Sequence, residues 1–468
     1  MRRRGFVAGA FGLSLTGAAH AQSDQALTGN WTGVLEAGSI RLRLRLVVEP
    51  DGAATLYSLD QGGAPIAGEG LSFARDRVSV RFPAIGARFE GQLSGDALVG
   101  EFTQGATLPL TFLRGDAGLN QPTADVAPLD QAGLEALRTQ AAAPAMAAAA
   151  RHRDGAALDL VTGVRRIGAA EPATLADAWH WGSITKSMTA TLTAKLVEGG
   201  ALQWDAPLSV LLPDLTALMH AAYAPVTMRH LFSHRSGLAG NLPLPALLRY
   251  PRHEADPRDS RMAYVRDCLS SAPIGPAETT FEYSNSGYVV AGAILETLLG
   301  EPWEALIRRS LFEPLGMSGA GFGAPGTPGR LDQPEGHAPG LLRLRAYGPG
   351  DVVNDNPAVL GPAGRVHAPL ADVLRFAAAH RDRAAFLRGE SWDMLHTPPF
   401  GGDYALGLAV RPDGALWHNG SNTLWYAEIL IDPRGGAVAC AAANSGDLAA
   451  AQPAVGSALT RARTAVSG

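Results

Sequence analysis

Two regimes of hydrophobic patterning divide the chain. Between residues 22 and 115, apolar side chains recur at every second position. Ile40, Leu42, Leu44, Leu46 and Val48 alternate with Arg41, Arg43 and Arg45, which puts apolar and basic groups on opposite faces of a strand. Val78, Val80 and Phe82 repeat the alternation, as do Leu108, Leu110 and Phe112. Pro50-Asp51-Gly52 and Ser94-Gly95-Asp96 supply the turns. Strands this short, with turns this frequent, predict a small all-β, barrel-like domain over 22–115. The arginine face reads as a solvated strand face, because no aromatic residues interleave it as single-strand binding would need.

Residues 116–128 are polar and contain Pro and Gly, which reads as a linker. The period then changes. Residues 130–142 predict a helix that Pro144 stops. Residues 145–150 and 156–164 predict a strand hairpin turned at Arg153-Asp154-Gly155. A helix follows Trp181, with Met188, Leu192 and Leu196 on one stripe. Gly- and Pro-rich loops lie near 239–260 and 318–360. Strands at 416–418, 426–432 and 437–443 precede a last helix from about residue 449. Strands at both ends with helices between predict an α/β (α+β) domain over 129–468, its antiparallel sheet flanked by helices and joining both ends of the domain.

Composition narrows the function. A chain of 468 residues with 46% hydrophobic and 18% charged residues is a globular protein. A net charge of −5 gives no general attraction to nucleic acid or an anionic membrane. Arg2-Arg3-Arg4, an apolar stretch over 7–18 and Ala19-His20-Ala21 predict an export signal over 1–21. It reads equally as a general secretion signal or a twin-arginine one. No other long apolar run follows, so the mature chain is expected outside the cytoplasm, periplasmic or secreted, with no integral membrane segment. Cys268 and Cys440 read as buried free thiols, although an oxidising compartment permits pairing.

The candidate chemistry centres on Ser183 and Lys186. Residues three apart share a helix face, so the amine can approach the hydroxyl. Lysine occurs at only two positions, Lys186 and Lys195, among 39 basic residues, so its place here is informative. A lysine takes a serine proton only if burial or nearby positive charge lowers its pKa. Tyr283 and Asn285 lie in a polar stretch before an apolar helix. A tyrosine near a lysine loses its proton more readily, which makes Tyr283 a candidate base, with Asn285 holding Lys186 or a substrate amide. His418, Gly420 and Ser421 end a predicted strand, where Gly420 permits close backbone approach. The amides of Ser421 and Ser183 are candidates for stabilising an oxyanion.

Ser183-x-x-Lys186, Tyr283-x-Asn285 and His418-x-Gly420, in that order, resemble the three motifs of the penicillin-recognising serine hydrolases. The similar branch is that of class C β-lactamases, D-Ala-D-Ala carboxypeptidases and related esterases. The stretches 226–238, 311–317 and 418–422 resemble that branch as well, and the 22–115 domain resembles an accessory barrel carried by some members. The resemblance implies that Ser183 forms an acyl-enzyme, Lys186 assists its deprotonation, and Tyr283 acts as base and later activates water. It also implies that Asn285 binds substrate, His418 and Gly420 line the site, and Ser421 gives the second oxyanion amide. One departure stands out: the lactamases of this branch carry lysine where this chain has His418, and histidine attracts a carboxylate only when protonated.

Other patterns lead nowhere. Gly321 to Gly326 matches a dinucleotide fingerprint, but Pro325 and the lack of a following helix argue for a loop. His230 and His234 have metal-ligand spacing without the accompanying glutamate, and read as a structural helix end. No Gly-Lys pair and no Gly-x-Ser-x-Gly elbow occur. The sequence therefore predicts an exported serine hydrolase without metal or cofactor, acting on a small-molecule or peptide substrate: an ester, amide or D-amino-acid peptide. A true β-lactamase is the alternative, and a catalytically silent cell-wall or peptide binding protein is the alternative of another class.

Overall fold

The computed structural model describes residues 26–37, 40–58, 65–104, 106–116, 126–340 and 344–467. The export signal and most of the linker inferred from sequence lie outside the described residues. Two compact units divide the chain between Thr123 and Ala124.

The first unit is one antiparallel sheet built from β1 (Gly29–Ala37), β2 (Ile40–Val48), β3 (Ala54–Ser58), β4 (Pro65–Ala67), β5 (Glu69–Ala74), β6 (Arg77–Phe82), β7 (Ala87–Ser94), β8 (Ala97–Gln104) and β9 (Ala106–Arg114). Its order is β4-β3-β2-β1-β9-β8-β7-β6-β5, a nearly closed, barrel-like meander. The two-residue alternation dictates the core: Leu44, Leu46, Val48, Leu56, Val78, Val80, Phe82, Leu110 and Phe112 are buried. Trp31 is fully buried and donates its indole N–H to the Leu27 carbonyl at 2.7 Å, while the Arg114 guanidinium lies 4.1 Å from its ring centre. On the outer face, Arg45 pairs with Asp116 at 3.1 Å.

The second unit has a six-stranded antiparallel sheet. β10 (Ala145–His152) and β11 (Ala157–Gly163) form its first hairpin. Next come β12 (Ala178–His180), β13 (Gly321–Phe322), the hairpin of β14 (Gly336–Pro339) with β15 (Leu344–Tyr347), and β16 (Val366–Pro369). β16 lies between β12 and β13 in a small separate sheet. The final strands are β17 (Ala409–Val410), β18 (Leu416–Ser421), β19 (Tyr426–Asp432) and β20 (Ala437–Ala443). The main order is β11-β10-β20-β19-β18-β17, so the first and last strands of the unit pair at its centre.

The Ala-rich runs of β10 and β20 explain how this sheet is covered. Alanine is a weak strand former, yet these residues are buried on both faces. Small side chains let helices approach the sheet closely. Leu448–Ser467 and Gln131–Gln140 pack on one face, and Leu370–Asp382 packs on the other. Asp130 caps Gln131–Gln140 by accepting the Gly133 N–H at 2.7 Å. Cys268 and Cys440 are both free and buried, and burial pushes both thiols up.

The Ser183 helix differs from the striped helix read from sequence. A single 3-10 turn, Gly182–Ile184, leads into the helix Thr185–Glu198, whose residues from Thr185 to Ala194 are all buried. Burial on every side is tolerated because the Thr185 hydroxyl accepts the Val366 N–H and the four that follow bond back to the preceding turn. Ser187 donates to Ile184, Thr189 to Thr185, Thr191 to Ser187 and Thr193 to Thr189. The nucleophile candidate thus stands at the mouth of a helix locked into the core.

Candidate active site

The turn that presents Ser183 is a close backbone-to-backbone contact. Gly182 has φ +50°, a region that favours glycine. A Cβ on Gly182 would lie 2.3 Å from the Ser421 amide nitrogen. A Cβ on Gly420 would lie 1.9 Å from the Trp181 carbonyl oxygen and 2.8 Å from the Ser183 amide nitrogen. The two glycines therefore let the helix entrance and the end of β18 meet, bringing the amides of Ser183 and Ser421 to one place. The turn is anchored from behind: the Trp181 amide donates to Val366 at 2.9 Å and its indole N–H to Ala368 at 2.9 Å.

Lys186 is fully buried. Its Nζ lies 2.9 Å from Ser183 Oγ, 2.7 Å from Asn285 Oδ1 and 2.7 Å from the Ala363 carbonyl. None of these partners carries charge. Burial pushes the amine well below the ordinary lysine value. Two of the three partners are carbonyl oxygens, which only accept, so a neutral amine spends its two N–H groups on them. Its lone pair is then left facing the Ser183 hydroxyl, which is the arrangement a general base needs.

Tyr283 and Asn285 are held by a segment distant in sequence. Ser284 caps the helix Asn285–Leu299: its Oγ accepts the Gly287 N–H at 3.1 Å and donates to Ala239 at 2.8 Å. The Ser284 amide donates to His234 Nδ1 at 3.0 Å, and the Asn285 amide to Gly240 at 2.8 Å. Asn285 Nδ2 donates to Asn241 Oδ1 at 3.1 Å, which turns its Oδ1 toward Lys186. The Tyr283 ring centre lies 4.8 Å from Lys186 Nζ, and Ser183 opposes the rise that burial causes in its phenol pKa. Tyr283 is 38% exposed at the rim, yet the inner end is enclosed, and burial pushes its phenol up from the ordinary value. The resting residue is therefore a phenol rather than a phenolate.

His234 belongs to this site, whereas the sequence offered it only as a helix end. It follows the short helix Met228–Phe232, has φ +61° and is buried. Its ring lies 4.3 Å from Tyr283, 4.6 Å from Tyr404 and 5.9 Å from Phe281, centre to centre. Nδ1 accepts from Ser284, so Nε2 carries the proton. Burial, with Lys186 and His418 nearby, holds the imidazole well below its ordinary pKa.

His418 points inward. It is only 3% exposed on β18, with Nδ1 donating to the Asn419 carbonyl and Nε2 accepting the Tyr404 hydroxyl at 2.8 Å. Burial, reinforced by Lys186, holds its pKa down at about 3. Ser421 Oγ donates to Trp425 at 2.7 Å, fixing the strand end that carries its amide.

A buried charged cluster lies on the other side of the turn. The Gly182 amide donates to His180 Nδ1 at 3.1 Å, and His180 Nε2 lies 3.1 Å from Asp355 Oδ1, off the line of an ideal hydrogen bond. Asp355 also receives Arg365 Nε at 3.0 Å and Asn422 Nδ2 at 2.8 Å. Burial raises the carboxyl pKa, but contacts with His180, Arg365 and Asn422 outweigh it and hold the group below the usual carboxylate range. Asn422 Oδ1 accepts the amides of Leu424 and Trp425, both at 3.2 Å. The cluster thus ties β12, the start of β16 and the segment after β18 to the turn that presents Ser183.

The structure gathers Ser183, Lys186, Tyr283, Asn285, His418, Gly420 and Ser421 around one place. It adds Tyr404, His234, Asn241, His180 and Asp355. Among the described residues, no group of three or more His, Cys, Asp or Glu side chains is placed to hold a metal ion, and no helix is long and apolar enough to cross a membrane.

Residues 131–458 match the Beta-lactamase family. Penicillin-binding protein 4 of Amycolatopsis lactamdurans is 30% identical over 335 residues, covering 68% of this chain and 84% of that protein. Esterase EstB of Burkholderia gladioli is 29% identical over 286 residues, covering 55% of this chain and 71% of its own. The D-amino acid amidase from Ochrobactrum anthropi SV3, solved with L-phenylalanine, superposes with a TM-score of 0.58 at 21% identity, covering 71% of this chain and 96% of that one. This last likeness is one of fold.

Proposed function

We propose, for a chain that belongs to the beta-lactamase family and is a serine hydrolase, that Ser183 forms an acyl-enzyme with an ester, amide or D-amino-acid peptide. The carrying observation is the placement of Lys186, buried against Ser183 with no carboxylate partner among the described residues. Lys186 takes the Ser183 proton as Oγ bonds to the substrate carbonyl carbon. The amides of Ser183 and Ser421 receive the oxyanion. As the bond to the leaving group breaks, the Tyr283 hydroxyl gives that group its proton and is reprotonated within the Lys186–Ser183–Tyr283 chain. Water then loses a proton to the same chain and attacks the acyl carbon. The Oγ–carbon bond breaks, Ser183 regains its proton and the acid leaves.

This order of events gives the first proton to the amine and keeps Tyr283 as a phenol, because burial drives the two pKa values in those directions. Asn285 orients Lys186 and, through its amide, the substrate. The esterase relative and the amidase of similar fold support ester and amide substrates. Leader-like residues 1–21 support export to the periplasm or beyond, where cell-wall peptides are within reach. The 22–115 domain, joined by a 116–128 linker to the 129–468 hydrolase domain, is proposed as an accessory module. The test is intact mass after rapid quenching with an activated ester: an acyl adduct on wild type and none on Ser183→Ala is the expected result. Equal turnover by the two proteins would remove Ser183 from the reaction.

A further inference from the structure

We infer that Tyr404 and His418 form a neutral hydrogen-bonded pair that selects substrates whose leaving group carries no carboxylate, an inference that rests on Ser183 being the nucleophile. A site that recognises a carboxylate presents a lysine, an arginine or a protonated histidine to it. Here the strand end beside Gly420 presents His418, and both its ring nitrogens are already engaged. Nδ1–H donates to the Asn419 carbonyl, and Nε2 accepts the Tyr404 O–H at 2.8 Å. For His418 to offer a charged N–H outward, it would need another proton and a reversed Tyr404 contact. It would need this beside Lys186, which itself gains a proton when Ser183 reacts. Burial and that neighbour already hold the imidazole down at about 3, so acidification to ordinary working pH does not charge it.

The neighbours of the pair point the same way. The Tyr404 ring lies 5.8 Å from His418, 4.6 Å from His234, 6.0 Å from Phe281 and 6.4 Å from Tyr283, centre to centre. Burial holds His234 neutral, and its buried Nε2 has no hydrogen-bond partner among the described residues. Phe281 and Tyr283 are 45% and 38% exposed, so the rim of this group is open aromatic surface. Arg235 sits 5.8 Å from the Phe281 ring centre, with Nη1 donating to the carbonyls of Glu278 and Thr279 and Nη2 to that of Gly401. A leaving group entering here meets rings, a phenol and a neutral imidazole. An uncharged ester or amide with an apolar body fits that lining, whereas a carboxylate would lose its water without gaining a cation.

A matched pair of esters isolates the point: phenylacetylglycyl-D-lactate and phenylacetylglycyl-D-lactamide differ only in whether the leaving group is charged. The wild type is expected to show a kcat/KM for the lactamide at least about tenfold above that for the lactate, the scale of leaving one charged group unpaired. Tyr404→Phe, which frees Nε2 of His418, and His418→Lys are both expected to narrow the ratio. Labelling by a fluorophosphonate, present in wild type and absent in Ser183→Ala, reports the nucleophile independently of the leaving group. Labelling together with equal turnover, no turnover of either ester, or preference for the lactate overturns the selectivity inference alone. No labelling of Ser183 overturns the reading beneath it as well.

Discussion

The turn that carries Ser183 separates two regions with opposite electrostatic character. On the substrate side, Lys186, Asn285, Tyr283, Tyr404 and His418 meet without a carboxylate among them, and burial drives each titrating member toward its neutral form. On the buried side, Asp355 and Arg365 form an ion pair that the His180 ring and Asn422 complete. Both regions are withdrawn from water, so burial alone does not set the difference. Partners do. Where a proton must move, the chain supplies carbonyls, hydroxyls and rings that leave a base free. Where geometry must hold, it supplies opposite charges that fix each other.

Substitutions on the two sides should fail differently. Lys186→Met should lower kcat/KM by between about 10²- and 10⁴-fold while the melting temperature stays close to wild type, because a general base is lost and no ion pair is broken. Activity retained within a few-fold would show that the amine is not the base. Asp355→Ala should do the reverse. It strands Arg365 and His180 without their carboxylate and should cost about 3–5 kcal/mol of unfolding free energy, read from denaturant titration. A stability change near zero would mean that the cluster is hydrated rather than sealed.

Acid should separate the regions further. Burial holds His337, His367 and His396 at about 4 and His418 at about 3, below the ordinary 6.5. These groups are neutral when folded, and the unfolded chain binds their protons first. The stability they confer is complete above 6.5 and is lost as pH falls toward the folded values. The slope should reach about 1.4 kcal/mol per pH unit for each histidine, measurable as a falling melting temperature between pH 7 and pH 5. A flat curve would contradict their burial as neutral groups. The smallest effect is expected from Ser284→Ala, which removes the cap behind Tyr283 and Asn285 and should cost about 1 kcal/mol. Its kcat/KM should fall only modestly.

Legibility in the sequence followed the same division. The bounds read for β19 and β20, 426–432 and 437–443, agree with the structure because two mostly apolar runs are punctuated by Pro433-Arg434-Gly435-Gly436. β18, read over 416–418 with Gly420 and Ser421 at its end, runs to Ser421 in full pairing, Gly420 and Ser421 lying opposite Ala427 and Tyr426. The Ser183 helix was read from one stripe, Met188, Leu192 and Leu196; bonds from Ser187, Thr189, Thr191 and Thr193 to the preceding turn let its other faces be buried too. Ser183, Lys186, Tyr283 and Asn285 stood out through spacing and the scarcity of lysine. His180, Asp355, Tyr404 and His234 are single residues of common types, and only tertiary packing brings them together. The one available signal was the i, i+4 spacing of His230 and His234, and it was read as a structural helix end rather than as part of the site.

The central claim is that Lys186 rests as a neutral amine facing Ser183. The most direct test is the pH dependence of Ser183 acylation by a neutral activated ester, followed by single-turnover kinetics in wild type. An acid limb is expected whose pKa lies well below the ordinary lysine value of 10.5. A rate that keeps climbing with pH up to that ordinary value would show a charged lysine at rest, and would contradict the account.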